Sequence, residues 1–194
     1  MIAFNSVLRS SDGVEKPPPR GLSVIRVKPS VQYNLISAEE NGLLIGVHYY
    51  RKRSIPCAGV GCPACECVAK REYAYLGCLA GTTDAGRSRV VVELPARTMY
   101  EIRECGSVLR GSVIDSLVGV AFTAFRRKGP KSPVVVADVE QTSSAVVIPK
   151  KEVTDALCRM WQIPFAPDDL DNKFLMDHWL AEVLRRVKSD HHYR

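Results

Sequence analysis

Four residues whose side chains bind metal ions lie close together early in the chain: His48, Cys57, Cys62 and Cys65. Imidazole nitrogen and thiolate sulfur are preferred ligands of Zn²⁺, and the two-residue spacing of Cys62 and Cys65 lets both thiolates bind one ion from a tight turn. A closed site with four protein ligands contributes folding free energy rather than catalysis. The pattern therefore predicts a structural zinc site.

The fourth ligand is open to an alternative from the sequence alone. Cys67, two residues beyond Cys65, competes with His48 for that position. A chance cluster of cysteines in a loop is the alternative to any metal site. Catalytic zinc is not indicated, because Glu66 is the one acid inside the cluster and the HxE…PCxxC pattern of zinc deaminases is missing. A metal here would instead stiffen the basic, aromatic segment 49–53.

The charge and the cysteine content limit the kinds of partner and site that the protein is expected to have. The 194 residues include 27 Lys and Arg against 21 Asp and Glu, a formal net charge of +6, which favours an anionic partner, nucleic acid before a membrane surface. No long apolar run or signal-peptide pattern is evident, so we expect a protein of the reducing cytoplasm without a membrane partner. There, clustered cysteines are typical of metal sites rather than disulfides. Cys78, Cys105 and Cys158 are expected to be small buried side chains.

The elements that must position the ligands are mostly strands. Apolar and β-branched runs predict strands at residues 22–27, 42–50, 73–79, 89–94, 118–125 and 133–139. Turn residues predict two hairpins, one between the third and fourth strands and one, with a cationic tip at 126–132, between the last two. A short helix is expected within 95–104. Short strands with one helix among them favour a small, closed or partly closed barrel, of which the OB-fold binds oligonucleotides.

The expected organisation is mainly β (α+β). A flexible arm is expected over 1–21, an OB-like barrel over 22–147 with a zinc-binding insertion at about 48–71, and a helical segment over 148–194. From Pro149 the apolar period becomes helical. Two C-terminal helices are predicted, one with Val153, Leu157 and Trp161 on a single face and the next with Leu175, Trp179, Val183 and Val187.

The residues around the cluster resemble a known family. A strand ending in Val-His, a basic aromatic segment, a Cys, a short loop, Cys-Pro-x-Cys and a Tyr-Ala-Tyr-Leu strand are together similar to the zinc-containing single-stranded DNA-binding (helix-destabilising) proteins of tailed phages. The resemblance covers about residues 46–94. It implies an OB-fold with a His-Cys-Cys-Cys zinc subdomain, and aromatic and cationic side chains in a cleft beside it. The basic C-terminus departs from the family's acidic tail, so the resemblance does not extend to its regulation.

Base stacking on aromatic rings and cations along the phosphates are what sequence-tolerant single-strand binding requires. The expected function is therefore binding of single-stranded DNA in replication, recombination or repair, with RNA also compatible and with replication or recombination proteins as further partners. The expected contacts are Tyr49, Tyr50, Arg51, Lys52, Arg53, Lys70, Arg71, Tyr73, Tyr75, Arg87, Arg89, Arg126, Arg127, Lys128 and Lys131.

A different class of function is also compatible with the chain. A zinc-stabilised protein–protein adaptor would use Trp161, Trp179 and the C-terminal apolar stripe, and would lack affinity for nucleic acid. An enzyme is not indicated, because no Gly-rich phosphate loop, nucleophile elbow or pair of catalytic acids stands out. No catalytic residue is expected.

Overall fold

The structure is a computed structural model that describes residues 21–50, 53–57, 59–62, 64–81, 87–110, 116–127, 129, 131–143 and 146–161. The predicted arm, apart from Gly21, and the second C-terminal helix with Trp179 lie outside these ranges. Within them, no helix has the length and apolar character needed to cross a membrane.

The described chain is mainly β. The strands are β1 Ser23–Arg26, β2 Tyr33–Ser37, β3 Leu43–Tyr50, β4 Arg53–Pro56, β5 Lys70–Ala80, β6 Ser88–Pro95, β7 Val120–Arg126 and β8 Val134–Gln141. The helices are α1 Ala64–Cys67, α2 Ala96–Arg110 and α3 Lys150–Trp161. All six predicted strands are confirmed, as is the first C-terminal helix. The helix expected within 95–104 continues to Arg110.

Strand β5 is the centre of an open sheet. The strand order is β1-β6-β5-β2-β7-β8, and β3 pairs with both β4 and β5. The first half of β5 pairs with β3 and its second half with β2, while β6 lies along its other edge. Both predicted hairpins, β5–β6 and β7–β8, are confirmed as antiparallel pairs. Among the described strands β8 pairs with β7 alone, so strand pairing does not close the expected barrel.

Apolar side chains cover both faces of the sheet because successive residues of a buried strand point to opposite sides. On one face, Leu76 and Val92 pack with α2 through Met99 and Ile102. On the opposite face, alternate residues of β5 and β6 pack with α3, whose Val153, Leu157 and Trp161 are buried as the helical period predicts. The sheet therefore lies between two helices.

A buried carboxylate lies at the bend between β2 and β3. Glu39 is 4% exposed, and its Oε2 accepts a hydrogen bond from the Gly77 N–H at 3.2 Å. Burial raises the pKa of this carboxyl group, and the hydrogen bond only partly offsets that effect. Gly77 is required here for space, because a Cβ would lie 3.1–3.3 Å from Val153, Ile148 and Glu39. This absence of a side chain lets α3 approach β5.

Candidate functional site

A β-hairpin brings the first two cluster residues together. His48 lies near the end of β3 and Cys57 directly follows β4, and the two strands pair with His48 opposite Ile55. The Cys57 N–H donates to the Gly46 carbonyl at 2.6 Å. A Cβ at Gly46 would lie 3.4 Å from the Cβ of Cys57 and 3.0 Å from the Lys70 side chain, so glycine leaves room for the cysteine.

A glycine-bearing turn supplies the other two thiols. Gly59 and Gly61 have φ values of 86° and 78°, in the left-handed region that glycine adopts without a Cβ penalty. The Cys62 N–H donates to the Gly59 carbonyl at 3.2 Å, and the Cys65 N–H donates to the Cys62 carbonyl at 3.0 Å. The chain therefore turns back towards His48 before α1 begins.

Three of the six separations between the four candidate ligand atoms have the length of a tetrahedron edge. The three Sγ atoms and a ring nitrogen all lie within 4.8 Å of one another. His48 Nε2 is 3.7 Å from Cys62 Sγ and 3.5 Å from Cys65 Sγ, and Cys57 Sγ is 3.6 Å from Cys65 Sγ. Zn–S and Zn–N bonds of about 2.3 Å and 2.0 Å give tetrahedron edges of about 3.5 Å between S and N and about 3.75 Å between two S atoms. The residues can hold a metal ion, and their donor set and spacing fit Zn²⁺.

The backbone orients the imidazole. His48 is fully buried, and its Nδ1 lies 2.8 Å from the Val68 carbonyl oxygen. Because a carbonyl only accepts, the proton belongs on Nδ1 and the lone pair of Nε2 faces the thiols. The Gly59 N–H also donates to Cys57 Sγ at 3.4 Å. These outer contacts are typical of metal sites, and they favour His48 as the fourth ligand. The side chain of Cys67 is not among those described, so that alternative stays untested.

The thiols interact strongly with one another. Hydrogen bonding to the Cys57 thiol, together with burial and the neighbouring Cys62, raises the pKa of Cys65 to about 11. The Cys65 thiol resists ionisation in part because its thiolate would be repelled by neighbouring sulfur atoms. A bound dication reverses this effect, since coordination deprotonates a thiol. The cluster is therefore suited to a cation.

A buried ionic network adjoins the metal cluster. Glu93 is 5% exposed, and its carboxylate accepts hydrogen bonds from the hydroxyls of Tyr49 at 2.6 Å and Tyr75 at 3.1 Å. Arg26 pairs with the same carboxylate at 3.0 Å. Burial is the largest single influence and lowers the pKa of Arg26, but the charge of Glu93, its hydrogen bond and the two tyrosines together outweigh burial, so the net shift is upward. Burial and then Glu93 raise the pKa of both tyrosines, so both remain hydrogen-bond donors.

Ser54 ties this network to α3. Its Oγ accepts hydrogen bonds from Arg26 Nη2 at 2.6 Å and from Trp161 Nε1 at 3.2 Å. The Trp161 ring also meets the Tyr75 ring edge-on, with centroids 5.5 Å apart. Because Ser54 lies in β4, three residues before Cys57, the network joins the cluster hairpin to the rest of the fold.

An aromatic–arginine patch, Arg26, Tyr49, Arg71 and Tyr73, occupies the α3 face of the sheet beside the cluster. Tyr49 and Tyr73 meet edge-on with centroids 5.6 Å apart, and the Arg26 guanidinium lies 5.3 Å from the Tyr49 ring centroid. Arg71 is exposed and lies two residues before Tyr73, hence on the same strand face. Sequence reasoning missed Arg26, because only the parallel pairing of β1 with β6 brings it opposite Glu93.

Three of the predicted contact residues have other roles in the fold. Tyr75 is fully buried in the core, so its ring is not available for stacking on a base. Arg126 donates to the backbone carbonyls of Val27 and Ser132. Arg89 pairs with Glu152 of α3 at 2.9 Å.

The remaining predicted contacts divide by exposure. Exposed side chains belong to Lys70, Arg71, Arg127 and Lys131, and partly buried ones to Tyr49, Tyr73 and Arg87. Outside the described part of the chain lie Arg51, Lys52, Lys128 and the side chains of Tyr50 and Arg53.

The predicted cations do not form one continuous group. Lys70 pairs with His48 at the cluster end of β5, whereas Ala80 pairs with Ser88 at the other end. At about 3.3 Å per residue this strand is on the order of 30 Å long. Arg87 and the tip of the β7–β8 hairpin, with Arg127, belong to the far end. The aromatic–arginine patch is therefore the one predicted region next to the cluster among the described residues.

Comparison with known proteins adds no relative to this picture. No family model, curated protein or solved structure matches the chain. The resemblance in the cluster motif stays a prediction, and the function must be argued from the geometry of the site.

Proposed function

We propose that the protein binds single-stranded DNA with little sequence preference and that His48, Cys57, Cys62 and Cys65 hold a structural Zn²⁺. The observation that carries the proposal is the adjacency of a tetrahedrally spaced ligand set and an aromatic–arginine surface. Tyr49 directly follows His48 in β3, so one strand segment supplies the buried candidate ligand on one face of the sheet and a ring of the patch on the other. The metal holds this segment in place.

The strand connections support an OB-like fold with a zinc insertion. Strands β2 and β3 pair with successive parts of β5, and β6 pairs with the other edge of β5. After α2 the chain enters β7, which pairs with β2, and then β8, which pairs with β7. If β2 and β3 count as one bent strand and β1 and β4 are left out, the remaining five strands can be matched to those of an OB-fold, and we propose that correspondence. OB-folds bind oligonucleotides on the face of strands 2 and 3 and with the loops between strands 1 and 2 and between 4 and 5. The cluster lies in the first of these loops and the cationic hairpin tip in the second.

Helix α3 narrows the proposed binding surface. It covers the outer face of β5 and β6 near Gly77 and Val91, and Trp161 lies over Tyr75. The part of that face that no described helix covers, at the cluster end, is the aromatic–arginine patch. Its rings offer stacking worth about 1–3 kcal/mol per base, and the exposed guanidinium group of Arg71 offers a phosphate contact. Stacking requires unpaired bases, which favours a single strand over a duplex.

The experiment is a fluorescence polarisation titration with labelled single and double strands of equal length at two salt concentrations. We expect tighter binding to the single strand and weaker binding at the higher salt, because phosphate contacts release counterions. Arg71→Ala should weaken binding several-fold. Arg97→Ala is the matched control, because Arg97 is an exposed arginine of α2 paired only with Glu101 among the described contacts. Equal affinity for duplex, or equal effects of the two variants, would reject the proposal.

The adaptor alternative has less support from the described residues. Trp161, the anchor of that hypothesis within the described chain, is 7% exposed and donates to Ser54. It therefore serves the fold rather than a free surface.

A further inference from the structure

The four cluster residues differ in their access to solvent. His48 is fully buried and Cys62 is 3% exposed, whereas Cys65 is exposed and Cys57 is half-buried. The Sγ atoms of the two accessible cysteines are 3.6 Å apart. A disulfide bond is about 2.05 Å long, so the sulfurs need to approach by only about 1.5 Å to form one.

The turn between these cysteines leaves room for that approach. A Cβ built on Gly59 or Gly61 would meet no heavy atom within 4 Å, and Val60 is 98% exposed. Cys62 and Ala64 belong to the apolar cluster under α3, and Cys57 packs against its edge. The freedom to move therefore lies in the turn 59–61 and in the exposed Cys65.

We propose that Cys57 and Cys65 are a redox modification site, at which a hydroperoxide oxidises the two thiolates to a disulfide and the bound zinc is released. This inference rests on the metal part of the proposed function. It fits the general requirement that redox-sensitive cysteines be accessible thiolates with a second thiol nearby. Coordination supplies the thiolate, because a metal-bound thiol is deprotonated.

The chemistry balances with the peroxide as the sole oxidant. The Cys65 thiolate attacks one peroxide oxygen, the O–O bond breaks, and a sulfenic acid forms as hydroxide leaves. The Cys57 thiolate then attacks the Cys65 sulfur, forms the S–S bond and displaces a second hydroxide. The two sulfurs together lose two electrons, which reduce the peroxide. With Cys57 and Cys65 joined, only His48 and Cys62 would remain to hold a Zn²⁺, two fewer than the four ligands of a structural site.

Release of the metal acts on the binding surface through β3 and β4. His48 and Tyr49 are neighbours in β3, and Ser54 lies close to Cys57 in the paired strand. Loss of the ion removes the link that holds this hairpin to the turn 59–62. Oxidation should therefore weaken the aromatic–arginine patch as well as the metal site.

The test treats the zinc-loaded full-length chain with hydrogen peroxide in the absence of DNA. A chromogenic chelator follows zinc release, and peptide mass mapping without reductant identifies the disulfide. We expect release of the bound zinc with the loss of two thiols, a Cys57–Cys65 linkage, and recovery of zinc binding after dithiothreitol and added zinc. Because no DNA is present, this assay tests the redox site independently of single-strand binding, so a failure of either proposal can be told from a failure of the other.

Two variants sharpen the result. Cys57→His keeps a nitrogen ligand but removes the resolving thiol, so peroxide should release its zinc at least several-fold more slowly. Cys105→Ser removes an exposed cysteine of α2 outside the cluster and should behave as the wild type. If Cys57→His binds no zinc, mapping of the wild-type disulfide decides the question. Retained zinc, a disulfide to Cys62 or Cys67, or zinc loss that reductant does not reverse would overturn the inference.

Discussion

His48 combines the two requirements of the candidate metal centre in one side chain. Its Nε2 lies within 3.7 Å of two thiols, and its Nδ1 contacts the Val68 carbonyl at 2.8 Å. From the sequence, His48 and Cys67 were alternatives because both lie within reach of the CxxC turn. The geometry favours His48, because its Nε2 lies near Cys62 and Cys65, whereas the side chain of Cys67 lies outside the described residues. The spacing of the residues predicted the candidate ligands. The His48 tautomer and the distances between the ligand atoms can be obtained only from the three-dimensional structure.

Replacing His48 tests the ligand set. We expect His48→Ala to lower zinc affinity by more than about 100-fold, because losing even an outer-shell partner of a ligand costs about 10–100-fold. Competition with a calibrated chelator measures the affinity. His48→Cys retains four ligands and should retain zinc, as should Cys105→Ser, which lies outside the cluster. Zinc bound by His48→Ala as tightly as by the wild type would make Cys67 the fourth ligand.

At the scale of elements, the bend between β2 and β3 depends on a buried acid. Glu39 has a pKa raised above its ordinary value of 4.5 by burial. A group with a raised acid pKa in the folded state binds protons better there than in the unfolded chain. Its contribution to stability is therefore fully present below about pH 4.5 and is lost as the pH rises through the folded-state pKa.

Glu39→Gln isolates this effect. We expect the stability of the wild type relative to the variant to fall as the pH rises above about 4.5, on a scale of about 1.4 kcal/mol for each tenfold change in proton affinity. Urea denaturation across that range measures the difference. Loss of zinc at low pH affects both proteins alike, so it cancels. A difference that stays constant with pH, or that grows in favour of the wild type, would show that Glu39 does not titrate in this range.

The elements divide into those with local signals and those without. Strand β5 is aromatic and apolar, β6 and β7 contain β-branched residues, and α3 follows a clear helical period, so all four were predictable. Strand β4 was not predicted, because Arg53–Pro56 is short and directly precedes the cysteine cluster, so it has no clear strand pattern. The pairing of β1 with β6 and the ion pair of Glu93 with Arg26 could not be predicted from the sequence either, because both join residues that are far apart in the chain.

On the scale of the whole molecule, the predicted cationic contacts that the structure describes are divided between two ends of the sheet. The net charge of +6 predicts an anionic partner but not where it binds. The sequence suggested one track of cations, whereas β5 separates Lys70 and Arg71 from Arg87 and Arg127 by most of its length. The resemblance to phage proteins centres on the cluster end. That end also has the aromatic rings, so we expect base stacking to occur there.

If a structural metal holds a single-strand binding surface in place, removing the metal must weaken binding of a single strand, and one titration measures this effect. A labelled single strand is titrated with the zinc-loaded chain and with the same chain after chelation, at one fixed low salt concentration. The account predicts that removal of zinc weakens binding by at least about 10-fold, which corresponds to about 1.4 kcal/mol. Equal affinity of the two forms, or no measurable binding by the zinc-loaded chain, would contradict it.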